Sequence, residues 1–365
     1  MSKWKKVKLG DVCSLYQPKT IPTKELKDDM PYYVYGANGI IGKYHSYNHI
    51  DSEIAIACRG ATCGTVNITL PKSWITGNAM VAHIESNELS FKYLFYALSN
   101  ANMKNVITGA AQPQITRSNL KDLEIPLPAM EEQKKIAARL DAVSDLLAKQ
   151  KQLLSEQDTL IQSTFYDMFG DPIKNNKGWK IEKFKKLGTL ERGKSQHRPR
   201  NAPELLGGSY PLIQTGDIAQ AGLYLDSFFQ TYSELGLKQS RLWKKGTLCI
   251  TIAANIAKTS ILNFDACFPD SVVGFVNNTS CNIMFIQIWM SFLQKILENN
   301  APQAAQKNIN LEILGNLNVI VPPLELQEKF AAVAEQIESE KSKIKSAIAE
   351  TQTLFNALMS EYFEE

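Results

Sequence analysis

Glu131-Glu-Gln-Lys-Lys-Ile-Ala-Ala-Arg-Leu-Asp-Ala-Val143 returns 194 residues later as Glu325-Leu-Gln-Glu-Lys-Phe-Ala-Ala-Val-Ala-Glu-Gln-Ile337. The match extends upstream without a gap. Ala111, Gln112 and Ile115 meet Ala305, Gln306 and Ile309; Leu120 meets Leu314, Leu123 meets Leu317, and Pro128 meets Pro322. Of the 33 positions from 111 to 143, 11 are identical, and self-similarity at a fixed offset is the signature of a duplicated architecture. Ile54-Ala-Ile56 meets Leu248-Cys-Ile250 at the same offset, as Phe91 meets Phe285. Near the start, Trp4 with Leu9-Gly10 resembles Trp179 with Leu187-Gly188, and there the glycines stand 178 apart. The second copy is therefore expected to hold about 16 extra residues between Gly188 and Leu248.

The segment of fixed length in each copy reads as a long helix. Ile136, Leu140, Val143, Leu147, Leu154, Ile161 and Met168 follow a four-three spacing, interrupted by Gln150, Gln157 and Thr164. Phe330, Ala334, Ile337, Ile344, Ile348, Phe355, Leu358 and Tyr362 repeat it, interrupted by Lys341 and Thr351. Neither run contains proline or glycine, and a heptad pattern of this length predicts a coiled coil. Prolines 126, 128, 322 and 323 precede the helices, and Gly170-Asp171-Pro172 stops the first. Two separate amphipathic helices would be the alternative, but the patterns share phase, length and position. The first helix feeds directly into the second globular part, so a pairing of the two must be antiparallel. A pseudo-two-fold axis then relates the copies, matching the local symmetry of duplex DNA. The expected organisation is a globular domain over 1–130, a helix over 131–170, a second domain over 171–324 and a second helix over 325–365. The globular parts are mixed α/β, with short β-like runs such as Glu53–Cys58 and Thr247–Ile252, each copy followed by an aromatic-rich helix.

Charge follows the same division. The net charge of +3 conceals balances of +4 for 1–130, −2 for 131–168, +6 for 169–324 and −5 for 325–365. An anionic partner would meet the two globular parts and not the helices. With 44% apolar and 21% charged residues the composition is that of a globular protein. No apolar run reaches the roughly 18–20 residues of a membrane span, no secretory h-region follows Met1, and six cysteines without a Cys-x-x-Cys read as reduced thiols. A cytoplasmic protein is expected.

Catalytic patterns are missing. Val34–Tyr44 fails as a phosphate loop because Ala37 stands where glycine is required and Tyr44 where serine or threonine is required. His45, His49, Cys58 and Cys63 match no common zinc spacing, and the second copy lacks all four. No nucleophile elbow, Asn-Pro-Pro-aromatic tetrapeptide or nuclease-like carboxylate cluster is present. No metal or cofactor site is expected. What the globular parts do carry is amide- and cation-bearing loops: Arg192–Arg200, Tyr210–Asp217 and Ala110–Arg117. Lysine and arginine neutralise phosphates, while glutamine, asparagine and arginine can make paired contacts to base edges. A solvated surface loop is the competing reading of each.

These residues resemble the specificity subunit of Type I restriction–modification systems, over essentially the whole chain. The resemblance is carried by Tyr35–Gly42, Gln112–Thr116, Ile125–Gln133, Phe165–Pro172, Tyr210–Asp217 and Val321–Gln327, in that order. It implies two target recognition domains, each reading half of a bipartite DNA site, separated by an antiparallel pair of helices. It implies two methyltransferase subunits on that scaffold and motor/nuclease subunits that cut unmodified DNA. The chain itself would be non-catalytic, with S-adenosylmethionine, ATP and Mg2+ bound by its partners. A self-contained DNA methyltransferase or nuclease is the competing reading. The expected DNA contacts are Lys19, Asn38, Lys43, Arg59, Gln112, Gln114 and Arg117 in the first domain. In the second they are Lys194, Ser195, Arg198, Arg200, Gln214, Thr215 and Asn255. Lys307-Asn308 replaces Pro113-Gln114, and Gly39–Gly42 has no evident counterpart, so the second domain is the less defined.

Overall fold

The structure is a computed structural model that describes residues 4–109, 112–253, 257–300 and 309–364. The chain forms two compact units, Met1–Lys151 with Ser346–Glu365, and Gln152–Lys345. A first long helix, Met130–Phe169, and a second, Leu324–Phe363, each contribute one part to each unit.

In the first unit the strands are β1 (Lys6–Lys8), β2 (Cys13–Tyr16), β3 (Tyr32–Gly36), β4 (Gly39–Tyr44), β5 (Ile54–Ala57), β6 (Val66–Ile68), β7 (Trp74–Ile75) and β8 (Ala79–Ile84). Helix α1 (Phe91–Asn100), strands β9 (Ile107–Thr108) and β10 (Gln114–Ile115), helix α2 (Arg117–Lys121) and strand β11 (Glu124–Pro126) complete it. The central sheet runs β2-β8-β5-β6, all antiparallel. Every residue of β5 is buried, which is why it reads as a continuous apolar run and not as an alternation. One face carries α1, whose Tyr93, Leu94, Ala97 and Leu98 enter a core shared with Ile136 and Leu140 of the first long helix.

The second unit repeats this plan. Its strands are β12 (Lys180–Lys183), β13 (Gly188–Arg192), β14 (Leu206–Leu212), β15 (Tyr224–Leu225), β16 (Gln230–Tyr232), β17 (Leu248–Thr251), β18 (Thr259–Leu262), β19 (Val272–Asn277) and β20 (Asn318–Val321). Helix α3 (Thr215–Gln220) follows β14, and α4 (Ile283–Asn300) and α5 (Leu311–Gly315) precede β20. The sheet order β13-β19-β17-β18 reproduces the first unit, with β15 added in parallel at the edge. β8 and β19 even share one burial pattern, four buried residues followed by an exposed and an intermediate one.

Two pairings expected from the sequence are corrected by the hydrogen bonds. Leu9 N–H donates to Leu123 O at 2.8 Å, and Phe184 N–H donates to Leu317 O at 3.0 Å. Leu9 therefore corresponds to Phe184, an offset of 175 that also fits Trp4 and Trp179; the Leu9-Gly10 match with Leu187-Gly188 is a coincidence of two residues. The insertion in the second copy is the difference between 194 and 175, or 19 residues, and most of it lies between β14 and β17. Side chains confirm the register by a swap. A Cβ on Gly10 would sit 2.8 Å from Lys121 Cγ, and a Cβ on Gly315 would sit 3.3 Å from Lys185 Cβ. Glycine and lysine have exchanged places across the same packing position. The second correction concerns α1 and α4, whose N-terminal residues Ser90 and Asn282 are equivalent, so Phe285 answers Tyr93 and not Phe91.

That equivalence comes from a buried glutamine. Gln133 is fully buried; its Oε1 accepts from Ser90 N–H at 2.8 Å, and its Nε2 donates to Glu88 O at 2.7 Å and Pro128 O at 2.8 Å. Gln327 does the same in the second unit, accepting from Asn282 N–H at 2.9 Å and donating to Pro322 O at 2.8 Å. The repeated Glu-x-Gln is thus a fastener between each long helix and its domain.

Within each unit the long helices pair antiparallel. In the first, Arg139 donates to Tyr362 Oη at 2.8 Å and Gln150 to Thr351 Oγ1 at 3.2 Å, so two of the polar interruptions meet each other. In the second, the buried Lys341 ammonium lies 2.7 Å from Asp158 and 2.9 Å from Glu338. Phe165 and Phe169 pack there on Phe285 and Phe330, with centroids 4.9–5.4 Å apart. The first long helix stops at Gly170, whose φ of 78° suits glycine, and Trp179 Nε1 donates to Phe169 O at 2.7 Å.

Replacing Gln133 with methionine keeps the volume and removes the partner of three backbone groups, of which Pro128 O lies in a buried bond. Urea unfolding should show a loss of about 2–3 kcal/mol in the first unit. The exposed neighbour change Glu131→Gln should stay within about 0.5 kcal/mol.

Candidate nucleic-acid interface

In the first unit the loops after β2, after β5 and before β8 leave the same end of the sheet, because Tyr16 pairs with Val81 and Ala57 with Ala79. Gln17 ties them together, its Nε2 reaching Gly77 O at 3.1 Å and Cys58 Sγ at 2.9 Å. Lys19 is exposed on the first of these loops, and its carbonyl accepts from Trp74 Nε1 at 3.0 Å. Arg59 is exposed on the second and bridges Gln114 across an isolated antiparallel pair. Two further backbone bonds, Gly60 N–H to Pro113 O at 3.1 Å and Ile115 N–H to Cys58 O at 3.0 Å, hold the Gln112–Ile115 stretch against it. Thr116 then caps α2, so Arg117 stands exposed on its first turn. Lys19, Arg59, Gln112, Gln114 and Arg117 are therefore gathered on neighbouring loops. Asn38 is exposed at the tip of the separate β3–β4 ribbon, and Lys43 on that ribbon lies 5.2 Å over the Tyr33 ring.

The second unit uses the same end of its sheet. Gly193 N–H donates to Val272 O at 2.9 Å, Ile252 N–H to Ser271 O at 3.1 Å, and Ile309 N–H to Ile252 O at 3.0 Å. The last bond is the counterpart of Ile115 to Cys58, 194 residues on. Lys194 is exposed, whereas Ser195 is buried. Arg198 is turned onto its own loop, donating to Ser195 O at 2.7 Å and His197 O at 2.8 Å. Arg200 pairs with both carboxylate oxygens of Asp270 at 2.8 and 2.9 Å, and with Arg192 and Ile309 it lines a cleft of about 350 Å3. Gln214 and Thr215 begin α3, where Gln214 N–H donates to Asp217 Oδ2 at 2.7 Å and its side chain reaches Gln230 Oε1 at 3.4 Å. Asn255 lies outside the described residues, as do Lys307 and Asn308.

Several positioning residues carry no local signal in the sequence. Gln239 Oε1 accepts from the N–H groups of Gln196 and His197 at 2.7 and 3.1 Å, and Ser240 donates to Lys194 O at 2.9 Å. Phe229, beside Gln230, is 82% exposed. Arg241 stacks 4.0 Å over Trp243 while paired with Glu191.

Among the described residues no group of three or more histidine, cysteine, aspartate or glutamate side chains is placed to hold a metal. His49 is instead part of the first unit's framework. Its Nε2 accepts from Tyr16 Oη at 3.0 Å and its Nδ1 lies 2.6 Å from Asn48 Oδ1, which also accepts from Ile75 N–H. Burial, with His83 adding to it, holds the His49 imidazole below its ordinary pKa. Among the described residues no helix is long and apolar enough to cross a membrane.

A twice-built α/β domain, each copy fastened to a long helix and presenting amide and guanidinium groups at one sheet end, defines a two-module reader of nucleic acid. The chain belongs to the family described as the Type I restriction modification DNA specificity domain, which matches residues 1–156 and 176–351. In that family the chain supplies DNA specificity and the catalytic activities lie in other subunits, so it is not itself an enzyme. Over 345 residues it is 22% identical to a type I restriction enzyme specificity subunit of Haemophilus influenzae, covering 91% of this chain and 86% of that one. The crystal structure of a Type I S subunit from M. genitalium shares the fold, with a TM-score of 0.69 at 16% identity, covering 100% of this chain and 96% of that one. A chain from a structure of a Type I restriction–modification assembly matches with a TM-score of 0.58 at 18% identity, over 99% and 97%.

Two outcomes are expected from this geometry. Arg198 and Arg200 are occupied within the protein, whereas Lys194 has no ion pair among the described residues. Lys194→Ala should therefore flatten the salt dependence of DNA binding by about 0.9 log–log units. Binding isotherms across a salt series check this. Because the folded-state pKa of His49 is lowered, its contribution is complete above about pH 6.5 and is lost as pH falls below that value. Thermal unfolding between about pH 7.5 and 5.5 should show a larger loss for the wild type than for His49→Gln.

Proposed function

We propose that the chain reads a bipartite target in duplex DNA, one globular part to each half, as the specificity subunit of a Type I complex. The carrying observation is the repetition of the loop framework with different contents. Ile115–Cys58 and Ile309–Ile252 fix equivalent loops, yet one set offers Arg59, Gln112, Gln114 and Arg117 and the other Arg192 and Lys194, beside an Arg200 held by Asp270. Like scaffolds with unlike side chains suit two different half-sites. Lys19, Asn38, Lys43, Ser195, Arg198, Gln214, Thr215 and Asn255 are proposed as further contacts or loop supports. The long helices carry two methyltransferase subunits, and motor/nuclease subunits join them. Their acidity supports protein contact over DNA contact, as do Leu153 and Leu160, one heptad apart and 43% and 46% exposed. S-adenosylmethionine, ATP and Mg2+ belong to those partners, and the assembly works in the cytoplasm.

The test is the methylation motif of the assembled complex, read genome-wide. Replacing Gln112, Gln114 and Arg117 with alanine should relax one half-site, at about 1–3 kcal/mol of discrimination for each bidentate base-edge interaction removed. The other half-site should stay as it is. Equal loss at both halves, or an unchanged motif, contradicts the assignment.

A further inference from the structure

The two reading ends part company at one matched pair of positions. Strand pairing makes Gln17 the counterpart of Arg192. The equivalent bonds Cys58 N–H to Asn78 O and Ile252 N–H to Ser271 O, both 3.1 Å, make Gly77 the counterpart of Asp270. In the first unit Gln17 is used internally, its Nε2 donating to Gly77 O at 3.1 Å and to Cys58 Sγ at 2.9 Å. In the second, Ile252 stands at the place of Cys58 and offers no side-chain acceptor. The Arg192 guanidinium is exposed there, with no hydrogen bond or ion pair among the described residues.

Arg192 lines the cleft of about 350 Å3 together with Asp270 and Arg200. The Asp270 side chain is 41% exposed although its two oxygens accept from Arg200 Nη2 at 2.8 and 2.9 Å. A carboxylate has about four lone-pair sites, so it keeps acceptor capacity toward solvent. The cleft thus sets a planar fork of donors beside an acceptor, at the sheet end where the first unit shows Arg59 and Gln114. That combination selects its ligand. A phosphate approaching Arg192 would meet the negative charge of Asp270 and be repelled. The major-groove edge of a G·C pair instead carries two acceptors, guanine N7 and O6, and a donor, cytosine N4.

We propose that Arg192 and Asp270 determine specificity in the second unit by reading a G·C pair. Arg192 donates to guanine N7 and O6, and Asp270, held by Arg200, accepts from cytosine N4–H. This rests on the reading of the chain as a bipartite DNA reader. The test is the methylation motif of the assembled complex, in the half-site that substitution of Gln112, Gln114 and Arg117 leaves alone. That half-site should contain a G·C pair that becomes degenerate in Arg192→Ala. Competition between duplexes differing only there should show discrimination falling about tenfold. The salt dependence of binding should keep its slope, because no phosphate contact is lost. Asp270→Ala should relax the same pair and no other, which a general loosening of the loops would not do. A half-site without a G·C pair overturns the proposal. So does an Arg192→Ala complex that keeps its motif while its salt slope flattens by about 0.9 log–log units, the mark of a phosphate contact. A wild-type motif that is not bipartite overturns the underlying reading as well.

Discussion

Everything in the fold hangs on a fully buried amide at the start of each long helix. Gln133 and Gln327 have no solvent to fall back on, so their hydrogen bonds to the entry of α1 or α4 and to the preceding proline carbonyl are all or nothing. One side chain thereby fixes where a long helix begins and which face it turns to its sheet. With that face set, Ile136 and Leu140 in one unit and Phe330, Ala334 and Ile337 in the other reach the core. The remaining faces are left to pair antiparallel.

The pairing is made specific by its imperfections. Gln150 meets Thr351, and Lys341 meets Asp158 and Glu338, where uninterrupted apolar layers would tolerate a slipped register. The domains show the complementary freedom. Glycine and lysine have traded sides at Gly10–Lys121 and Lys185–Gly315 without changing how the two segments approach.

The repeat is legible because its identical residues do structural work that tolerates little else: Gln133 and Gln327 as fasteners, Leu123 and Leu317 packed on their cores, Pro128 and Pro322 as helix boundaries. The heptad spacing reveals both helices for the same reason, since burial of one stripe is a periodic demand. The domain starts mislead because Leu-Gly is too short a match to outweigh the tryptophans, and because Gly188 answers a need of its own, lying against Val276 O. At the interface, residue type points to Arg59, Gln114 and Lys194. It cannot show that Asp270 occupies Arg200, or that Gln239 and Ser240 hold the 194–200 loop, because those partners are distant in sequence. Phe229 gives no sign either, since an isolated apolar residue in a loop reads the same whether it is buried or bare.

If the chain reads a bipartite target as proposed, the length of the long helices sets the spacing of its two half-sites. Four residues, Leu-Ala-Lys-Gln, inserted after Gln150 and a matching four after Ile344 would lengthen each helix by about 6 Å. They advance the apolar seam by little more than one turn, so the packing pattern continues. The measurement is the genome-wide methylation motif of the complex carrying this chain. Both half-sites should stay unchanged and the spacer should lengthen by one or two base pairs. An active complex with the original spacer would contradict this.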